Sequence, residues 1–188
     1  MFVAVVPPEE ALDDLDEFLD LRRDAGEFRW VLREQLHVTL AFLADVPERS
    51  LDDLEERLAR AAKRRTAFAA ALAGGGAFPN VGRARVLYTG LDLDERGRVE
   101  MARLATGARA AAGKAGIAVD GARFKPHVTV ARLKHPQEAT PWVRLLDAYR
   151  GPAWTVDTVE LVASYLGEGP RKRPRYETLA VFPLGSPS

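Results

Sequence analysis

The chain has 188 residues, 47% of them hydrophobic and 29% charged, with no cysteine and a formal net charge of zero. This size and composition suit a globular chain whose core needs no staples, and the missing thiols exclude disulfides and thiolate metal sites. The charge balance excludes a generally basic nucleic-acid surface, so any anion has to be held by a local arrangement of groups.

Residues 2–6, FVAVV, are rich in β-branched side chains and read as a strand stopped by Pro7 and Pro8. Residues 8–23 follow helical spacing, with Leu12, Leu15, Phe18 and Leu19 on one face and Pro8 suited to the first turn. LHVTLAFL, residues 36–43, reads as a strand. Residues 50–65 read as a helix with Ser50 as N-cap, acids early and bases late, matching the helix dipole. FAAALA (68–73) and ARVLYTGL (84–91) read as strands, separated by Gly74, Gly75 and Gly76. That glycine run reads as a flexible break and not a phosphate loop, because no Gly-Lys-Ser/Thr follows.

A helix is expected over 94–114, a strand over HVTVARL (127–133) and a helix over 138–149. Two last strands are expected at 154–166 and 176–184, joined by the loop GEGPRKRPR. Each half thus offers strands, a helix and one His-Val-Thr strand, the pattern of an internal duplication. Short turns and mixed element order favour an α+β class with antiparallel pairing over a doubly wound sheet. The N-terminal MFVAVVPPEEALDD has no basic n-region and no long apolar stretch, so it is not read as a signal peptide. No run approaches the roughly 18 apolar residues of a membrane span. With no cysteine, these features point to a cytoplasmic protein.

The informative pattern is a tetrapeptide written twice. Residues 37–40 are HVTL and residues 127–130 are HVTV, and two of the three histidines of the chain begin them. On a strand, residues i and i+2 share a face. His37 and Thr39 therefore face one way, Val38 and Leu40 the other, and His127, Thr129, Val128 and Val130 repeat the arrangement. If a pseudo-twofold axis relates the halves, two imidazoles and two hydroxyls form one cradle. The hydroxyls can hold phosphoryl oxygens. The imidazoles, with ordinary pKa values near 6.5, can divide acid and base roles at neutral pH. Rival chemistries lack their parts. No Asp, Glu or Cys stands beside either histidine on its strand face to complete a zinc site, and no G-x-S-x-G elbow supports a serine triad.

With these motifs the sequence resembles the two-histidine (2H) phosphoesterase superfamily, and within it the RNA 2′,3′-cyclic phosphodiesterases, also called the 2′-5′ RNA ligase family. The likeness runs along nearly the whole chain, 1–188. It is carried by MFVAVVPPEE, RWVLREQLHVTLAFLADV, GAFPNVGRARVLYTGL, RFKPHVTVARL and the closing VDTVELVASYLGEGPRKRPRYETLAVFPL. The chain has LREQ at 32–35, where members often carry proline and asparagine.

The resemblance implies a bilobal α+β fold, two antiparallel sheets with outer helices around a central cleft. It implies hydrolysis of RNA 2′,3′-cyclic phosphate ends to a 2′-phosphate, without metal or cofactor, with 2′-5′ ligation as a related activity. It implies His37 as proton donor, His127 as general base, Thr39 and Thr129 on the phosphate, and Arg132 near the substrate. Phe42, Phe124 and Trp30 flank the motifs and are candidates for stacking on a nucleobase. The run Arg171 to Arg175 could guide an RNA end. The expected partner is an RNA end or nucleotide bearing a cyclic phosphate, met by a monomer away from membranes. Two alternatives remain open at this point. One is a phosphodiesterase for small cyclic nucleotides or cyclic ADP-ribose phosphate, and the other is a non-catalytic RNA- or nucleotide-binding module.

Overall fold

A computed structural model describes residues 1–121, 123–169 and 172–185. Its class is α+β: a curled antiparallel sheet with four helices against it. The strands are β1 (Phe2–Val5), β2 (Arg29–Trp30), β3 (Val38–Phe42), β4 (Phe68–Phe78), β5 (Ala84–Asp92), β6 (Val128–Gln137), β7 (Arg150–Val156), β8 (Thr158–Tyr165) and β9 (Arg175–Pro183). The helices are α1 (Glu9–Arg23), α2 (Leu51–Lys63), α3 (Glu95–Lys114) and α4 (Thr140–Asp147). Among the described residues, no helix is long and apolar enough to cross a membrane.

The sheet runs β7-β4-β5-β6-β3-β1-β8-β9, with β2 added beside β6. It divides into two lobes of four strands, a middle lobe (β7, β4, β5, β6) and a terminal lobe (β3, β1, β8, β9). The two sheets expected from the sequence are joined into one, because Val38 of β3 pairs with Val128 of β6. Both valines are fully buried, so the seam between the lobes is made of core.

Element order repeats as the duplication requires, but the lobes are not the two halves of the chain. β4 belongs to the first half by sequence and pairs with β5 in the middle lobe. β8 belongs to the second half and pairs with β1 in the terminal lobe. The helices cross over too. α1 follows β1 but packs on β7 and β4, while α3 follows β5 and packs on α2 and β3. Leu58, Ala61 and Ala62 of α2 meet Leu104 and Ala108 of α3 behind Val3 and Leu40. Leu40 therefore points away from the face that His37 and Thr39 occupy, as strand alternation requires.

Several local expectations need correction. The glycine run is no break: Gly74, Gly75 and Gly76 lie inside β4. Gly74 takes φ +75°, and the β4–β5 register shifts between Ala73 and Gly75, so this glycine supports a bulge. A Cβ on Gly75 would strike Leu146 of α4, and one on Gly76 would strike the Tyr88 ring. The run is therefore a surface cut back for close packing. Residues 154–166 are two strands, β7 and β8, split at Asp157 and placed in different lobes. β6 runs on to Gln137, so α4 begins at Thr140, two residues later than the spacing predicts. Ser50 makes no capping hydrogen bond, since it already has helical backbone angles at the end of a preceding 3₁₀ turn.

Candidate active site

β3 and β6 meet at their first residues and then part. Beyond Val128, β6 pairs with β2, Arg29 opposite Arg132 and Trp30 opposite Ala131. β3 turns to β1. The divergence opens a cleft of about 410 Å³ above the seam. The Val38–Val128 pair brings the two motifs together at the seam. His37, Thr39, His127 and Thr129 all line the cleft.

Both rings are held the same way. Nδ1 of His37 donates to the Gln35 carbonyl at 2.6 Å, and Nδ1 of His127 donates to the Lys125 carbonyl at 2.7 Å. A carbonyl can only accept, so in each neutral ring the proton sits on Nδ1 and Nε2 keeps a free lone pair. The Gln35 that supplies one carbonyl is itself clamped, its Nε2 donating to the Pro174 carbonyl at 2.6 Å. The LREQ segment is thus a scaffold. Residues 33–35 form a 3₁₀ turn, and Arg33 pins it to α1 through ion pairs with Glu9 and Asp13.

Aromatic walls flank each ring. Phe2 stacks on His37 with centroids 4.5 Å apart, and Tyr176 meets the His37 ring edge-on at 5.7 Å while lying 5.0 Å from Phe2. Phe78 and Tyr88 meet His127 edge-on at 4.9 and 5.2 Å. These walls exclude water and disfavour charge. Burial is the main cause pushing His37 down to about 4, resisted by the Gln35 carbonyl and reinforced by His127 and Arg132. His127 is also lowered, first by burial, against the pull of the Lys125 carbonyl and with added repulsion from the Lys125 ammonium and Arg132. With the cleft empty, both rings are biased toward the neutral form at neutral pH. A bound anion restores the charged form of whichever ring it touches.

Of the other expected residues, Arg132, Phe42 and Trp30 line the cleft. Phe124 does not. It is partly buried and packs against the main hydrophobic core. The basic run is divided. Arg171 lies outside the described residues, and Arg173 reaches the cleft wall. Arg175 is held by Glu168 and Glu177 at 3.1 Å each and lies over the Tyr165 ring. Sequence reasoning missed Arg29, Gln35, Phe78 and Tyr176 on the cleft wall and Phe2 against His37. Their signal was present for Arg29 and Gln35, which border the first motif in RWVLREQLHVTL. Phe78 and Tyr176 arrive only through strand pairing. No carboxylate lines the cleft, and no group of three or more metal-ligating side chains occurs among the described residues.

The geometry can be set beside known proteins. A family model described as the 2′-5′ RNA ligase superfamily matches residues 7–168. An RNA 2′,3′-cyclic phosphodiesterase of Thermus thermophilus is 35% identical over 98% of this chain and 89% of its own length. A protein of the same name from Geobacillus stearothermophilus is 35% identical over 99% of this chain, which spans 58% of that longer relative. The crystal structure of TT0787, also from Thermus thermophilus, superposes with a TM-score of 0.78 at 33% identity, covering 98% of this chain and 97% of the other. The structure of E. coli LigT complexed with 3′-AMP superposes with a TM-score of 0.74 at 25% identity, covering 97% and 96%.

Proposed function

Because this chain belongs to the 2′-5′ RNA ligase superfamily, we propose that it hydrolyses 2′,3′-cyclic phosphates at RNA ends and leaves a 2′-phosphate. The observation that carries this reading is a single cleft lined by both motif histidines and both motif threonines, above the Val38–Val128 seam. A phosphorus atom held between the threonine hydroxyls would have one imidazole on each side. In-line displacement needs that arrangement, with the proton acceptor by the entering oxygen and the donor by the leaving one.

In this reading His127 Nε2 takes a proton from water as the water oxygen bonds to phosphorus. His37, charged once the phosphate is bound, gives its Nε2 proton to the 3′ oxygen as the P–O3′ bond breaks. Thr39 and Thr129 donate to the non-bridging oxygens, and Arg132 offsets the negative charge that grows there. No metal or cofactor takes part. A 5′-hydroxyl in the position of the water would yield a 2′–5′ linkage, so ligation is a second outcome of the same site. Phe42, 54% exposed at the cleft edge, offers a face to the terminal base. The enzyme acts as a cytoplasmic monomer. The structural relative that holds 3′-AMP supports a nucleotide in this cleft.

The test is hydrolysis of a short RNA with a 2′,3′-cyclic phosphate end, with excess chelator, followed by phosphorus NMR of the product. A 2′-phosphate at an undiminished rate is expected. A 3′-phosphate would reverse the leaving group. Activity that needed zinc or manganese to return would overturn metal-free acid–base catalysis.

A further inference from the structure

We propose that the cleft holds a second phosphate subsite, in which Arg29 joins Arg132 to take the internucleotide phosphodiester next to the cyclic end. The inference rests on the cyclic-phosphate reading above and narrows its substrate to chains of at least two nucleotides.

The first observation is an excess of positive charge. Arg29, Arg132 and Arg173 line one cleft, and no Asp or Glu lines it, in a chain whose formal charge is zero. A cyclic phosphodiester carries a single negative charge. Two threonines, two histidines and Arg132 already serve it, which leaves Arg29 without an assignment.

The second observation is where Arg29 stands. Arg29 and Arg132 are direct cross-strand partners on β2 and β6. Like charges in that relation destabilise a sheet. Arg29 has no carboxylate partner among the described residues, unlike Arg23 with Asp16 and Asp20, or Arg33 with Glu9 and Asp13. A repulsive pair facing an open cleft is a site waiting for an anion. The charges of both guanidinium groups also act on the Tyr176 hydroxyl through space, opposing the rise in its pKa caused by burial.

The third observation is that Arg29 is held in place. β2 is only two residues long, yet Trp30 anchors it. The indole Nε1 donates to the carbonyls of Arg23 and Gly26, each at 3.3 Å, and the ring packs against Phe28 and Trp142 with centroids 5.5 Å away. Along β6 from the Val128 seam come Thr129, then Ala131 opposite Trp30, then Arg132 opposite Arg29. Arg29 therefore stands farther from the seam than the threonines, beyond a phosphate held by them. The next phosphate along a chain is placed to reach it.

Three substrates separate the possibilities: a nucleoside 2′,3′-cyclic phosphate, the same compound with a 5′-phosphate, and a dinucleotide ending in the cyclic phosphate. Wild type is expected to favour the dinucleotide. Arg29→Gln should lower kcat/KM on the dinucleotide by roughly tenfold to hundredfold, the range for a lost charged hydrogen bond, and lower it several-fold less on the plain mononucleotide. Arg29→Lys should recover part of the loss. If Arg29→Gln harms the 5′-phosphorylated mononucleotide but not the dinucleotide, the occupant is an end phosphate and the proposal is wrong. Equal loss on all three substrates, or none, also overturns it. Melting temperature provides the structural control. Arg29→Gln removes a repulsive pair, so it should melt no lower than wild type, and a lower melting point with equal losses would mark a merely structural residue. If wild type hydrolyses none of the three, the proposed function fails instead. Calorimetry with a dinucleotide 3′-phosphate against a mononucleotide 3′-phosphate then still decides the subsite: Arg29→Gln must weaken the first more than the second.

Discussion

The two motif segments agree at four of five positions and then part. HVTLA, running into β3, is followed by Phe42, and HVTVA, running into β6, by Arg132. The histidines are held by the same backbone device and the threonines lie on the same face, so the shared part of the motif makes a symmetric cradle. The surroundings are not symmetric. His37 packs in a cluster with Phe2 and Tyr176, and burial takes its pKa down to about 4. His127 has an ammonium nearby, because Lys125 donates to the hydroxyl of the Tyr88 that borders its ring. One wall ends in an aromatic face, the other in a cation. A symmetric substrate would need no such difference. The proposed substrate, a ribose with a base on one side and a phosphate chain on the other, would.

The comparison breaks most easily at its centre. His37→Ala and His127→Ala should each cost ~10²–10⁴-fold in turnover, the usual worth of a positioned acid or base. The double variant should be little slower than either single one, because the pair works as a unit. Steady-state rates on one cyclic phosphate check this, and near wild-type turnover in either single variant would end the two-histidine mechanism.

Further out, the walls should fail differently. Arg132→Gln should reduce kcat/KM by about 10- to 100-fold through a lost charged contact. Phe42→Ala should act mainly through KM, with stacking worth ~1–3 kcal/mol per base. Salt should weaken only the arginine effect.

Gly76→Ala probes the support behind His127. A methyl there strikes Tyr88, which must move against its neighbours. Overpacking of this kind costs roughly 1–3 kcal/mol. That is a drop of about 2–4 °C per kcal/mol in a chain of this size, read by thermal melting, and turnover should fall with the displaced ring. Thr39→Val and Thr129→Val should be milder, about 0.5–1.5 kcal/mol each for a neutral hydrogen bond. Unequal losses would extend the asymmetry of the walls into the cradle itself.

The smallest expected effect is a displacement on the pH axis. Both histidines are lowered from 6.5 in the free protein, so the bell of kcat/KM should centre below 6.5, while bound phosphate moves the bell of kcat to higher pH. Stability follows the same sign. A group with a depressed folded pKa, neutral when native, contributes fully above 6.5 and loses that contribution as pH falls toward about 4, because the unfolded chain binds the proton first. Melting temperature across that window should fall less steeply in His37→Gln than in wild type.

The sequence shows the cleft-facing positions of the motifs because strand alternation is local and two copies agree. It also shows most helices, whose apolar spacing is local too. It does not show that Asp157 sends β7 and β8 to different lobes, because the run from Trp154 to Leu166 is rich in β-branched residues and holds no Gly or Pro to mark a break. Nor does it show the use of Gly74, Gly75 and Gly76, since the bodies they make room for, Leu146 and Tyr88, are distant in sequence. Phe124 misleads for the opposite reason. It stands three residues before His127, but nearness in sequence says nothing about which way a loop side chain turns, and this one turns to the core. Tyr176 owes its position to pairing with Ser164, and Arg29, though it borders the first motif in sequence, is set on the cleft wall by pairing with Arg132.

The crossing of strands between lobes has a consequence for synthesis. Tyr176 borders the His37 ring, and the Pro174 carbonyl clamps the Gln35 that orients it, across 139 residues. A chain emerging from the ribosome can finish the middle lobe once β7 is out. The cleft still lacks one wall until β9 has been made. If the proposed function holds, a fragment that ends before β9 should fail to hydrolyse a cyclic phosphate end.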